Sequence, residues 1–93
     1  MRRYFSHYTY IHPDIYLKNH IVELDEEFHI IRFFPFKKEI EKTEFHSGLL
    51  VFIPKENGNI EEVLNQVNED SFNNKILENS KFSSTEIYTI YRK

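Results

Sequence analysis

Residues 17–36, LKNHIVELDEEFHIIRFFPF, constrain this chain more than any other stretch. From 19 to 24 the side chains alternate, with His20, Val22 and Leu24 on one face and Ile21 and Glu23 on the other. From 28 to 34 the run FHIIRFF is β-branched and aromatic, and such side chains fit a pleated, half-buried surface. Asp25, Glu26 and Glu27, between the two runs, are poor strand formers that sit well in water. The pattern predicts two antiparallel strands joined by a loop of about three or four residues. Pro35 removes a backbone donor, so the second strand is expected to stop there or to lie at an edge. A lone hairpin is marginal in water, so other strands must cover it.

The rest of the chain supplies them. Residues 4–11 (YFSHYTYI) alternate, with Tyr4, Ser6, Tyr8 and Tyr10 against Phe5, His7, Thr9 and Ile11, and predict a first strand. His12, Pro13 and Asp14 read as a turn. Residues 37–43 (KKEIEKT) read as a solvated turn or one loose helical turn. Residues 45–54 (FHSGLLVFIP) are the most apolar and predict a buried strand over 48–53, with Gly48 at a bulge or a close backbone approach. Beyond a loop at 55–59, Asn59 fits a helix N-cap and Glu62 the matching capping-box position. Ile60, Val63, Leu64 and Val67 recur at helical spacing, so an amphipathic helix is expected from 60 to about 68. Residues 70–74 break it, 74–78 suggest a short second turn with Ile76 and Leu77 inward, and 80–84 read as a loop. Residues 85–91 (TEIYTIY) predict a closing strand, with Ile87, Thr89 and Tyr91 opposite Tyr88 and Ile90.

Composition excludes several classes. A chain of 93 residues makes one small domain with a single shallow core. Nine Phe and six Tyr argue for a packed domain rather than disorder. The net charge of −3 comes without a basic patch, so no nucleic acid is implied. With no cysteine there is no disulfide framework and no thiolate metal site. No apolar stretch suits a signal peptide or a membrane span, so a soluble, cytoplasmic protein is expected.

The first 54 residues resemble the small composite β-domain of amidohydrolase-superfamily enzymes, which are metal-dependent hydrolases. The carrying motifs are YTYIHP at 8–13, LKNHIVELDEEFHII at 17–31 and SGLLVFIP at 47–54. The resemblance implies a β-domain completed by a strand from the C-terminal end, a part that 85–91 could play. It does not extend to chemistry. In that family the last strand leads into a His-x-His metal pair at a barrel mouth, whereas Lys55, Glu56 and Asn57 follow Pro54 here. A barrel needs about 200 residues or more, and only 39 follow Pro54. His20 and Phe28 stand where the family commonly has glycine, which bears on the hairpin's turn geometry.

Candidate chemistry is thin. His7, His12, His20, His29 and His46 lack metal-ligand spacing, and His7 with His20 is the pair best placed to converge. The three carboxylates at 25–27 read as a solvated turn rather than an acid–base pair, with no burial to shift a pKa. Ser6 and Ser47 lack an elbow motif or a paired base, and two glycines make no phosphate loop. No catalytic residue, metal or cofactor follows. Aromatic surface is the remaining signal: Tyr4, Tyr8 and Tyr10, with Tyr88 and Tyr91, as a candidate aromatic face, and Phe33, Phe34 and Phe36, whose alternation must point rings both ways. Ordinary cross-strand packing accounts for much of it.

The expected fold is mostly β: a small antiparallel sandwich or roll of about five or six strands with one helix before the last. The expected function is a non-catalytic module acting through protein–protein contact, with a homo-oligomer or another protein as partner. The alternative is small-ligand binding on the tyrosine face.

Overall fold

The structure, a computed structural model, describes residues 1–12, 15–56, 60–72 and 86–93. The strands are β1 (Arg2–Ile11), β2 (Ile15–Leu24), β3 (Ile30–Pro35), β4 (Thr43–Pro54) and β5 (Tyr88–Arg92). Helix α1 (Ile60–Gln66) and a 3₁₀ turn (Glu69–Phe72) lie between β4 and β5. All five strands form one sheet in the order β3-β2-β1-β4-β5. The fold is mostly β with one helix before the last strand, as the patterning predicts. Three pairings are antiparallel and β1–β4 is parallel. The parallel pair arises because β2 and β3 occupy one side of β1. Residues 36–42 then carry the chain back to the start of β1, where Arg3 Nη1 donates to Glu41 O at 3.2 Å. Those residues form no helical turn.

Each face of the sheet has its own core. The inner face gathers Tyr4, Ile11, Ile15, Leu17, Val22, Leu24, Ile30, Leu50, Phe52 and Tyr88, with Phe28, Phe33 and Ile90 at its margin. Every strand contributes to this cluster, and among the described residues α1 contributes nothing. The two edges meet at one end: Tyr88 N–H donates to Phe28 O at 3.0 Å, and His29 bridges Ile87. The result is a roll closed along a short seam. On the outer face, Val63, Val67 and Phe72 pack against Tyr10, Leu49, Val51 and Ile53, with Tyr8, Tyr16 and Tyr91 beside them. Lys93 Nζ donates to the carbonyls of Leu64 and Val67, satisfying acceptors that the helix end leaves over.

One irregularity resets which residues share a face. Between Ser6 and Tyr8 the β1–β4 register shifts, placing Ser47 and Gly48 of β4 opposite His7 alone. Opposite on β2, Asn19 takes φ 55, a left-handed conformation that asparagine tolerates. The alternation therefore flips at His7. Tyr4 and Ser6 share the inner face with Thr9 and Ile11, while Phe5 shares the outer face with Tyr8 and Tyr10. A strict period of two predicts a different division, because it has no place for a bulge. Ser6 Oγ donates to Tyr8 O at 2.6 Å, spanning the bulge.

Other boundaries differ in detail. β4 starts at Thr43 rather than near 48, since Thr43 to His46 pair with Arg3 to Ser6. Gly48 meets both expectations: a Cβ there would lie 2.9 Å from Lys93 O, so β5 closes against β4 only over a bare backbone. Phe28, where the resembled family commonly has glycine, takes φ 69. A second register shift between Glu23 and Leu24 leaves Ile31 bulged and 44% exposed. The turn at Pro13 and Asp14, the Asn59 cap, the 74–78 turn and the 80–84 loop lie outside the described residues.

Candidate functional site

Two surfaces combine exposed chemistry with a defined frame. The first is on the outer face, in the half that α1 leaves uncovered. Phe5 lies in register with Ile21 and with Phe45, and Ile21 with Phe34. Residues 36–42 cross here, laying Phe36 over Phe5 with ring centroids 4.9 Å apart. Phe45 lies 5.4 Å from Phe5 and 6.2 Å from Phe36. Phe5 and Ile21 are buried beneath this group, but Phe45 remains 51% exposed. Part of the cluster is thus a small core that pins the crossover, and its upper rings form a ledge open to water.

Beside the ledge stands a charged triad. Glu23 is 1% exposed and lies between Arg3, whose Nε donates at 2.6 Å, and Arg32, which donates to its other oxygen. Burial alone pushes the Glu23 carboxyl up, but hydrogen bonds from Arg32 and Arg3 outweigh it and hold the carboxyl below its usual value. Arg32 also lies over the Phe34 ring, 5.0 Å from its centroid. Two cations around one carboxylate add a local excess of positive charge beside the ledge.

The second surface is a cleft of about 330 Å³ on the inner face beside the seam, lined by Tyr4, Phe28, Lys55, Tyr88, Thr89, Ile90 and Arg92. Tyr4 packs edge-on against Phe52 at 6.5 Å and is 9% exposed. Arg92 Nη2 reaches both oxygens of Glu44 at 3.1 Å. Arg2 lies over the Phe28 ring at 4.7 Å.

The structure divides the residues that the sequence singles out. Tyr4 and Tyr88 belong to the inner cluster, whereas Tyr8, Tyr10 and Tyr91 belong to the outer one. They form no single face, because the bulge at His7 separates Tyr4 from Tyr8 and Tyr10, and β5 alternates normally. Phe33 points inward against the core beside His20, and Phe34 and Phe36 point outward. Phe45 and Phe5 complete the outward group. Phe5 and Phe45 are partners across β1 and β4, and Phe36 joins them through ring contacts that depend on the crossover.

His7 and His20 do not converge. His7 Nδ1 lies 3.2 Å from Asn19 Oδ1 at the bulge, while His20 is buried with Nδ1 bonded to Lys18 O at 2.8 Å. Among the described residues no group of three His, Asp or Glu could hold a metal. A row that linear reading misses does form: His20, Ser6 and His46 sit side by side across β2, β1 and β4. Ser6 Oγ is committed to Tyr8 O and, at 2.7 Å, to Thr9 Oγ1. The row therefore contains no serine–histidine hydrogen bond to activate a nucleophile.

The acidic turn is shaped rather than merely solvated. Asp25 Oδ1 accepts from the backbone N–H groups of Glu27 and His29, each at 2.9 Å. The His29 N–H is the main reason the Asp25 carboxyl lies below its usual range, so the shift comes from hydrogen bonding rather than burial. No helix among the described residues is long and apolar enough to cross a membrane. No protein-family model, curated protein or solved structure matches this chain.

Proposed function

We propose that the chain is a non-catalytic β-module acting through protein–protein contact, with the ledge of Phe34, Phe36 and Phe45 as its contact surface. Phe45 carries the reading: its ring touches two others and still leaves half its surface in water. Rings held by their neighbours lose little freedom on binding, and aromatic residues with arginine are enriched at interface centres. The border is charged in both senses, with Lys37, Lys38, Glu39, Glu41 and Lys42 all exposed. A second copy meets those charges with the same set in a two-fold contact, so self-association is the first form expected. Kinship with the amidohydrolase β-domain belongs to the same reading and is supported by the motifs at 8–13, 17–31 and 47–54. A cytoplasmic setting fits a chain without cysteine.

Sedimentation velocity from about 5 to 500 μM, a span suited to a small interface, tests this. The wild type is expected to associate, and Phe45→Ser, at an exposed position, is expected to remain monomeric. A monomer throughout that range, with no stoichiometric second polypeptide on native mass spectrometry of the protein from its own cells, overturns the proposal.

A further inference from the structure

We infer that the seam cleft is a binding site for a small aromatic carboxylate. This stands independently of the contact ledge, which lies on the other face. The walls are Phe28, Tyr88 and Ile90, two rings and a branched chain, which suit a flat apolar body. About 330 Å³ is at the small end for ligand pockets and accommodates a single-ring compound rather than a nucleotide. Lys55 and Arg92 bring cations, Tyr4 and Thr89 bring hydroxyls, and among the described residues no carboxylate lines the cleft.

Two of these groups are uncommitted. Tyr4 is nine-tenths buried, and its hydroxyl reaches solvent without a protein hydrogen-bond partner among the described residues. Lys55 has no ion pair among them, although its backbone is pinned by the bond from its N–H to Ile87 O at 2.9 Å. Arg92 is held by Glu44 and shapes the rim. A hydroxyl donor and a lysine lining one cleft are complementary to a carboxylate. The chain as a whole carries −3, so its overall charge repels anions. Anion binding at the cleft would therefore report local complementarity.

The test is an amide-resolved NMR titration of the full chain at pH 7 and low salt, with benzoate, benzyl alcohol and benzylamine as probes. Benzoate is expected to give saturable shifts centred on Tyr4, Phe28, Tyr88 and Ile90. Benzyl alcohol should bind about fivefold more weakly or worse, the scale of one exposed charge interaction, and benzylamine should not bind. Lys55→Gln, at an exposed position, should weaken benzoate by a similar factor of about five without changing the spectrum elsewhere. Tyr4→Phe should weaken it further, in a chain whose inner core keeps the ring. Three results overturn the inference: no saturable benzoate shift to about 20 mM, where even weak fragments register; equal binding of benzyl alcohol; or benzoate shifts centred away from the seam.

Discussion

Glu23 shows how a single side chain sets a pH limit on the fold. Its folded pKa lies below the ordinary 4.5, because the guanidinium hydrogen bonds outweigh burial. A carboxyl depressed in the folded state stabilises the fold fully above its unfolded pKa. That contribution is lost as pH falls through the lower, folded value. Melting temperature should therefore hold from pH 7 to about 5 and fall below about 4.5, near the unfolded carboxylate value. Asp25 is shifted in the same direction, so the difference between chains is the readout. Glu23→Gln should be less stable at pH 7 by about 1–3 kcal/mol, the cost of stranding a part-buried charge partner. It should also lose less on acidification. Thermal melts of both chains from pH 3 to 7 check this, and parallel curves would dismiss the triad as a stabilising device.

At the level of elements, the helical segment docks through a residue outside its own periodicity. Phe72, in the 3₁₀ turn, is 0% exposed and lies 5.2 Å from both the Tyr8 and Tyr16 rings. Ile60, Val63, Leu64 and Val67 supply the stripe, while Phe72 reaches across to β2 and locks its far end. Phe72→Ala should cost about 3–5 kcal/mol, as for a fully buried ring. Denaturant unfolding measures that loss. A cost below about 1 kcal/mol, the level of a surface substitution, would mean that α1 holds without it.

For the whole molecule, the distinction is between an open sheet and a roll. β5 pairs with β4 through Thr89, Tyr91 and Lys93, so the amides of Tyr88, Ile90 and Arg92 point away from β4. Among the described residues only Tyr88 of these three has a backbone partner at the seam, Phe28 O. Hydrogen exchange should therefore protect the Tyr88 amide far more than those of Ile90 and Arg92, since closed backbone bonds exchange only on opening. Equal, fast exchange at all three would mean that the roll is open. The seam matters to function because the cleft beside it exists only while the two edges meet.

Local pattern determined much of this protein. The 17–36 hairpin, the inward set of Val22 and Leu24, the β5 alternation, the α1 stripe and the role of Gly48 all follow from period, propensity and glycine chemistry, which act over a few residues. Several features were decided only in three dimensions. The bulge at His7 depends on two residues of β4 facing one of β1, a count that no single strand contains. It divides tyrosines that alternation would place together. The ledge depends on the crossover laying Phe36 on Phe5, and the cleft on Phe28 meeting Tyr88 across the sheet. Each brings together residues far apart in the chain, and loop-closure entropy, not local preference, must be overcome to form them.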